Sequence, residues 1–145
     1  MYLGKNDPEE AMKYLEKAVK YGPENAQAHT HYGISLSMLK RYSEAVIQYK
    51  EAVRIDPEEE KAFYNLGNVY SILLKPEESI ACYRHALRIE PDYAEAHANL
   101  GIMLAQNNQV DEGITELQEA LKIRPGWEKV RQGLNTLLET RKKNK

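Results

Sequence analysis

The 145-residue chain has one cysteine, Cys82, so neither an intramolecular disulfide nor a cysteine zinc site can form. A single thiol suits a reducing compartment, and a cytoplasmic location is the expectation. Long hydrophobic runs are absent. No stretch approaches the ~20 apolar residues of a membrane span. Met1 to Lys5 lead into no apolar segment of the signal-peptide kind. Charge of one sign is also missing: 20 basic residues face 22 acidic ones, for a net charge of −2. That balance excludes the basic footprint of a phosphate-tracking protein, so no nucleic-acid partner is expected. β-Branched residues are few, with threonine only at Thr30, Thr115, Thr136 and Thr140, and nowhere do apolar and polar residues alternate as in a strand. Alanine, glutamate, leucine, lysine and arginine dominate instead, a bias toward helix throughout.

The prolines carry a clock. Pro23, Pro57, Pro91 and Pro125 are spaced 34 residues apart. Gly33, Gly67 and Gly101 keep the same period, as do Ala18, Ala52, Ala86 and Ala120. A column of small residues runs Ala11, Ala45, Ser79, Gly113, and a column of large ones Leu15, Tyr49, Tyr83, Leu117. Coincident columns at one spacing define an internal repeat. Each unit reads as two helices. Ala62, Phe63, Leu66, Tyr70 and Leu73 form one apolar stripe at helical spacing. Pro76 then opens a second helix, with Glu77 and Glu78 at its positive N-terminal end, and that helix stops before Pro91. The same pattern predicts helices near 26–39, 42–55, 94–106 and 110–123. Small residues such as Gly67, Ser79 and Ala86 permit close approach of two backbones, while Phe63, Leu66, Tyr70 and Tyr83 fill the space around the crossing. One pair alone cannot bury its apolar face, so stability has to come from stacked neighbours.

Phe63, Leu66, Gly67 and Tyr70, followed by Ser79, Tyr83 and Pro91, resemble the pattern of the tetratricopeptide repeat family: W-x2-L-G-x2-Y, A-x3-F, P. The flanking units match through Gly33, Ala45, Tyr49, Ala52 and Pro57, and through Leu100, Gly101, Ala120 and Pro125. They depart at His29 and His97 in the tryptophan column, Tyr32 in the leucine column and Gly113 in an alanine column, all packing variants. The resemblance implies an all-α, right-handed solenoid of antiparallel helix pairs with a C-terminal capping helix. The expected organisation is one array over 1–140: a partial repeat over 2–25, repeats over 26–59, 60–93 and 94–127, and a cap over 128–140, followed by a basic tail over 141–145.

The ends differ. Tyr2 falls in the Tyr70 column and Asp7-Pro8-Glu9-Glu10-Ala11 opens a second helix, so the sequence supplies no complete first helix for this unit. Ala11, Leu15 and Ala18 are expected to face nothing from their own unit, through removal of a preceding helix or through cover by another chain, which makes them the candidate self-association surface. At the other end Val130, Leu134, Leu137 and Leu138 continue the apolar stripe, while Glu128, Arg131, Gln132, Glu139 and Arg141 give a polar outer face suited to a cap.

The resemblance further implies a concave inner face, lined by the first helix of each pair, that binds a peptide. Projected there are Gln27, Thr30, His31, Ile34 and Ser37; Lys61, Tyr64, Asn65, Asn68 and Ser71; Glu95, Asn99 and Ile102; and Lys129 and Gln132 from the cap. Asn65 and Asn99 are one period apart and are expected to form a ladder of carboxamides that hydrogen-bond an extended backbone. Tyr64 is the candidate anchor. Asn68, Asn99 and Lys129 fall on columns of the family's carboxylate clamp, but Tyr64 and Gly133 stand where two of its cations belong, which removes most of the charge recognition of a carboxylate.

Catalytic signals are weak. His29 and His31, two apart on a helix, point to different faces and cannot chelate together. Cys82 is placed on the outward side of a second helix with no histidine to activate it. Glu58-Glu59-Glu60 serves a helix start, and no phosphate loop occurs. No catalytic residue, metal or cofactor is therefore expected. The sequence favours a non-catalytic scaffold that binds a peptide or extended segment of a partner protein. The alternatives are a self-assembly module working through the N-terminal end, and a non-catalytic, substrate-gripping arm of a larger enzyme such as a glycosyltransferase.

Overall fold

A computed structural model describes residues 7–145. Tyr2 and the rest of 1–6 lie outside the described residues. Among the described residues eight helices follow one another: α1 (Pro8–Tyr21), α2 (Ala26–Met38), α3 (Tyr42–Ile55), α4 (Glu60–Ile72), α5 (Pro76–Ile89), α6 (Ala94–Gln106), α7 (Val110–Ile123) and α8 (Glu128–Lys143). No strand occurs among the described residues. The last helix runs through Arg141, which pairs with Asp111 on α7 at 3.5 Å, and into the segment read from sequence as a basic tail.

Local chemistry sets the boundaries. Asp7 caps α1 by accepting from the Glu9 amide, with Pro8 in the first turn, and Asn25 caps α2 by accepting from the Ala28 amide. The turn between the two helices of each complete unit places one residue in the left-handed region: Lys40 at φ 59°, Leu74 at 58° and Asn108 at 64°. These three are again one period apart.

The helix pairs α2–α3, α4–α5 and α6–α7 pack antiparallel, and each second helix also packs on the first helix of the next unit. Their seams are built from the small-residue columns. A Cβ added at Gly67 would lie 2.7 Å from Tyr83 Cε1, and one at Gly33 would lie 2.6 Å from Tyr49 Cε1. The glycines thus exist to admit the tyrosine rings. Ser79 Oγ donates to the Gly67 carbonyl at 2.8 Å across the same seam. Ala45, Ala52, Ala62, Ser79, Ala86, Ala96 and Ala120 are fully buried. Cys82 is buried in the cluster with Leu36, Tyr49, Leu66 and Tyr70, not turned outward as its helical position suggests, because its side of α5 packs on α4 and on the core of the preceding unit.

Histidines occupy the tryptophan column as tethers. His29 Nδ1 lies 2.8 Å from Gln48 Oε1 and Nε2 lies 2.9 Å from the Pro23 carbonyl. His97 repeats the arrangement with Glu116 at 2.6 Å and the Pro91 carbonyl at 2.8 Å. Each ring ties a first helix to its own second helix and to the loop before it. Phe63, in the same column, stacks on His85 at 4.9 Å between centroids.

Candidate functional site

Contacts between units decide which helices face inward. The first helices touch along the array, α2 on α4, α4 on α6 and α6 on α8. Among the described residues no such contact joins α1 to α3, α3 to α5 or α5 to α7. A stack whose first helices meet while its second helices splay apart is curved, with the first helices on the inside.

The inner wall carries a hydrogen-bonded chain of side chains in the middle of the array. Tyr83 Oη, reaching through from α5, donates to Asn68 Oδ1 at 2.6 Å. Asn99 Nδ2 donates to the same Asn68 oxygen at 3.0 Å and to Tyr64 Oη at 3.2 Å. Tyr64 packs between Tyr93, 4.8 Å away, and Tyr83, 6.0 Å away. Burial pushes the Tyr83 and Tyr93 phenols above the usual tyrosine range, and nearby Tyr64 adds to both shifts. Both are therefore neutral hydroxyls in the working pH range. The chain orients its two carboxamides. With Asn68 Oδ1 accepting twice and Asn99 Nδ2 donating twice, Asn68 Nδ2 and Asn99 Oδ1 are the groups left to meet a ligand: one donor and one acceptor, the complement of a peptide group.

Beside this chain opens a cleft of about 270 Å³, lined by Asn68, Ser71, Ile72, Tyr83, Asn99, Ile102, Met103 and Gln106. A second hollow of about 240 Å³ continues from it, sharing Ser71, Met103 and Gln106 and adding Leu74 and Pro76. No charged side chain lines either one. Ile72 and Ile102 are about half exposed at the rim, at 53% and 45%.

The other expected groove residues divide. Gln27, His31, Lys61 and Lys129 are exposed. Ile34 is half-buried against the core cluster around Leu36. Glu95 is half-buried and drawn to Arg124, whose hydrogen bond holds the Glu95 carboxyl below the usual range. Thr30 does not line the groove: it is 2% exposed, and its hydroxyl donates to the Ala26 carbonyl one turn back. Asn65 and Asn99, expected to act as a ladder on a peptide backbone, have different partners. Asn65 Nδ2 donates to the Lys61 carbonyl of its own helix, while Asn99 bonds to Asn68 and Tyr64. One period separates Asn65 from Asn99 along the chain, but the residue that meets Asn99 side chain to side chain is three positions later than Asn65, one helical turn on. Sequence reasoning missed Tyr83, Ile72, Met103 and Gln106. The large-residue column marks Tyr83 as core, and only its hydroxyl, which the spacing does not reveal, crosses to the inner wall.

Burial, with a smaller contribution from Glu78, raises the Cys82 thiol to about 12, so it carries no thiolate at neutral pH. Among the described residues no cluster of three or more histidine, cysteine or carboxylate side chains is placed to hold a metal. Among the described residues no helix is long and apolar enough to cross a membrane.

Family models described as tetratricopeptide repeat match residues 2–60, 60–93 and 82–115. Among solved structures, MamA aligns over 97% of this chain and 86% of its own, with a TM-score of 0.89 and 21% identity. A MamA fragment from Desulfovibrio magneticus RS-1 aligns over 95% and 78%, with a TM-score of 0.88 and 23% identity. YrrB, described as a TPR protein with an unusual peptide-binding site, aligns over 94% and 71%, with a TM-score of 0.82 and 23% identity. No curated protein sequence matches the chain significantly. Three repeat matches over most of the sequence, and stacked helix pairs with glycine–tyrosine seams and an inner wall of first helices, agree: the chain belongs to the tetratricopeptide repeat family.

Proposed function

We propose that the protein is a non-catalytic interaction scaffold that holds an extended segment of a partner protein along the inner wall of α2, α4 and α6. The carrying observation is the Tyr83–Asn68–Asn99–Tyr64 chain, which presents a donor and an acceptor beside a neutral cleft rimmed by Ile72 and Ile102. A backbone peptide group satisfies the polar pair, and an uncharged side chain fits the cleft. The absence of charge in the lining argues against an acidic tail as ligand. YrrB, a structural neighbour, is itself described as having a peptide-binding site.

The test is selection from a randomised peptide display library, followed by affinity measurement on single-site variants. Selected peptides should be uncharged at the position that enters the cleft. Asn99→Ala should weaken them about tenfold, the loss expected when a buried hydrogen-bonding pair is left incomplete. Affinity unchanged by Asn99→Ala, with an unaltered melting temperature, contradicts the proposal.

A second reading, self-association, is favoured by one observation: Tyr14 and Tyr21 on α1 are 75% and 80% exposed. It predicts a mass that rises with concentration.

A further inference from the structure

The α1 helix is built like the other second helices but is covered differently. Its Leu15 shares a column with Tyr49, Tyr83 and Leu117, which are 1%, 2% and 1% exposed, and its Ala18 shares one with Ala52, Ala86 and Ala120, all at 0%. On α1 no residue is buried, Leu15 and Ala18 are half-buried, and Ala11 is exposed. Met12 packs against the core cluster on the side facing α2. Among the described residues, the stripe of Ala11, Tyr14, Leu15, Ala18 and Tyr21 is thus an apolar helix face of second-helix design that is covered only in part.

We propose that this face pairs antiparallel with the same face of a second copy of the chain. The proposal rests on the self-association reading and commits it to one geometry. The stripe is self-complementary. Ala11 and Ala18 are equidistant along the helix from the midpoint between Tyr14 and Leu15. A twofold axis through that midpoint sets Ala11 against the partner's Ala18 and Tyr14 against the partner's Leu15. The alanines admit close approach, and the tyrosines cover it. Charge agrees. Glu10 and Lys17, exposed and two turns apart, flank the stripe on the tyrosine side. Antiparallel pairing brings like flanks of the two helices together, so Glu10 lies near the partner's Lys17, and the contact occurs twice by symmetry. The acidic first turn with Glu9 and Glu10 also meets a basic last turn with Lys20. Head-to-tail stacking on α8 fits less well. That helix carries Asn135 in the glycine column, and its exposed Gln132 and Glu139 would have to lose water against the apolar stripe.

Sedimentation equilibrium on the whole chain tests this from micromolar to millimolar concentration. The mass should rise from one protomer to two and stop there. Leu15→Glu should give one protomer throughout, with unchanged helical circular dichroism. Glu10→Lys and Lys17→Glu should each weaken pairing several-fold, and the double variant should restore it, which a merely structural role for either charge would not do. A parent chain that stays one protomer at every concentration overturns both the pairing and the self-association reading. A double variant that fails to restore pairing, or a mass that climbs beyond two, overturns the antiparallel geometry while self-association stands.

Discussion

At the scale of single residues, glycine–tyrosine contacts decide the fold. Gly67 has no conformational task, since it sits in an ordinary helix; its task is to leave room for Tyr83. Gly67→Ala forces the ring or the helix to move and should cost about 1–3 kcal/mol in chemical denaturation, the range for overpacking a filled core. Tyr49 gives a pH signature. Burial lifts its phenol to about 12, against the opposing hydrogen bond with Ser37. An unfolded tyrosine ionises near ~10. Above that pH the unfolded chain releases its proton first, so stability that is complete below pH ~10 is lost as the pH climbs toward the folded value. Tyr49→Phe should flatten this alkaline decline, read from denaturation midpoints across pH. Cys82, protonated and buried, should resist a thiol reagent in the native protein at pH ~8 and react fully once denaturant is added.

At the scale of elements, the turns joining helix pairs show how a repeat tolerates a poor residue. Asn108 is well suited to its left-handed φ of 64°, but Leu74 holds φ 58° while 86% exposed. Neither its backbone nor its side chain gains from that position. Leu74→Asn should therefore stabilise the chain by about 1 kcal/mol, checked by the thermal midpoint. The elements were legible in the sequence because proline, glycine and the apolar stripes mark helix ends and faces independently. Legibility failed where a side chain's tip matters more than its column. Cys82 looked outward because helical position says nothing of the neighbouring unit that covers it. Thr30 looked available because a helical wheel does not show its hydroxyl folding back to Ala26. A repeat period sets Asn65 and Asn99 in one column, but it does not show that the carboxamide reaching Asn99 is that of Asn68, one helical turn on from Asn65.

At the scale of the whole molecule, curvature makes the candidate site. First helices that touch along the array bring Asn68 of one unit against Asn99 of the next, so the donor–acceptor pair exists only between units. Ion pairs repeat along the stack, Arg54 with Glu24 and Arg88 with Glu58, but these groups are exposed and water screens their attraction. The curve is held by the buried seams. The central claim is that the inner wall, at the junction of α4 and α6, is where an extended partner segment lies. Amide chemical-shift mapping of the isotopically labelled chain with a library-selected peptide tests it most directly. Shifts concentrated at Asn68, Ile72, Asn99 and Ile102 are the predicted result; shifts confined to α3, α5 and α7 on the outer side would contradict it.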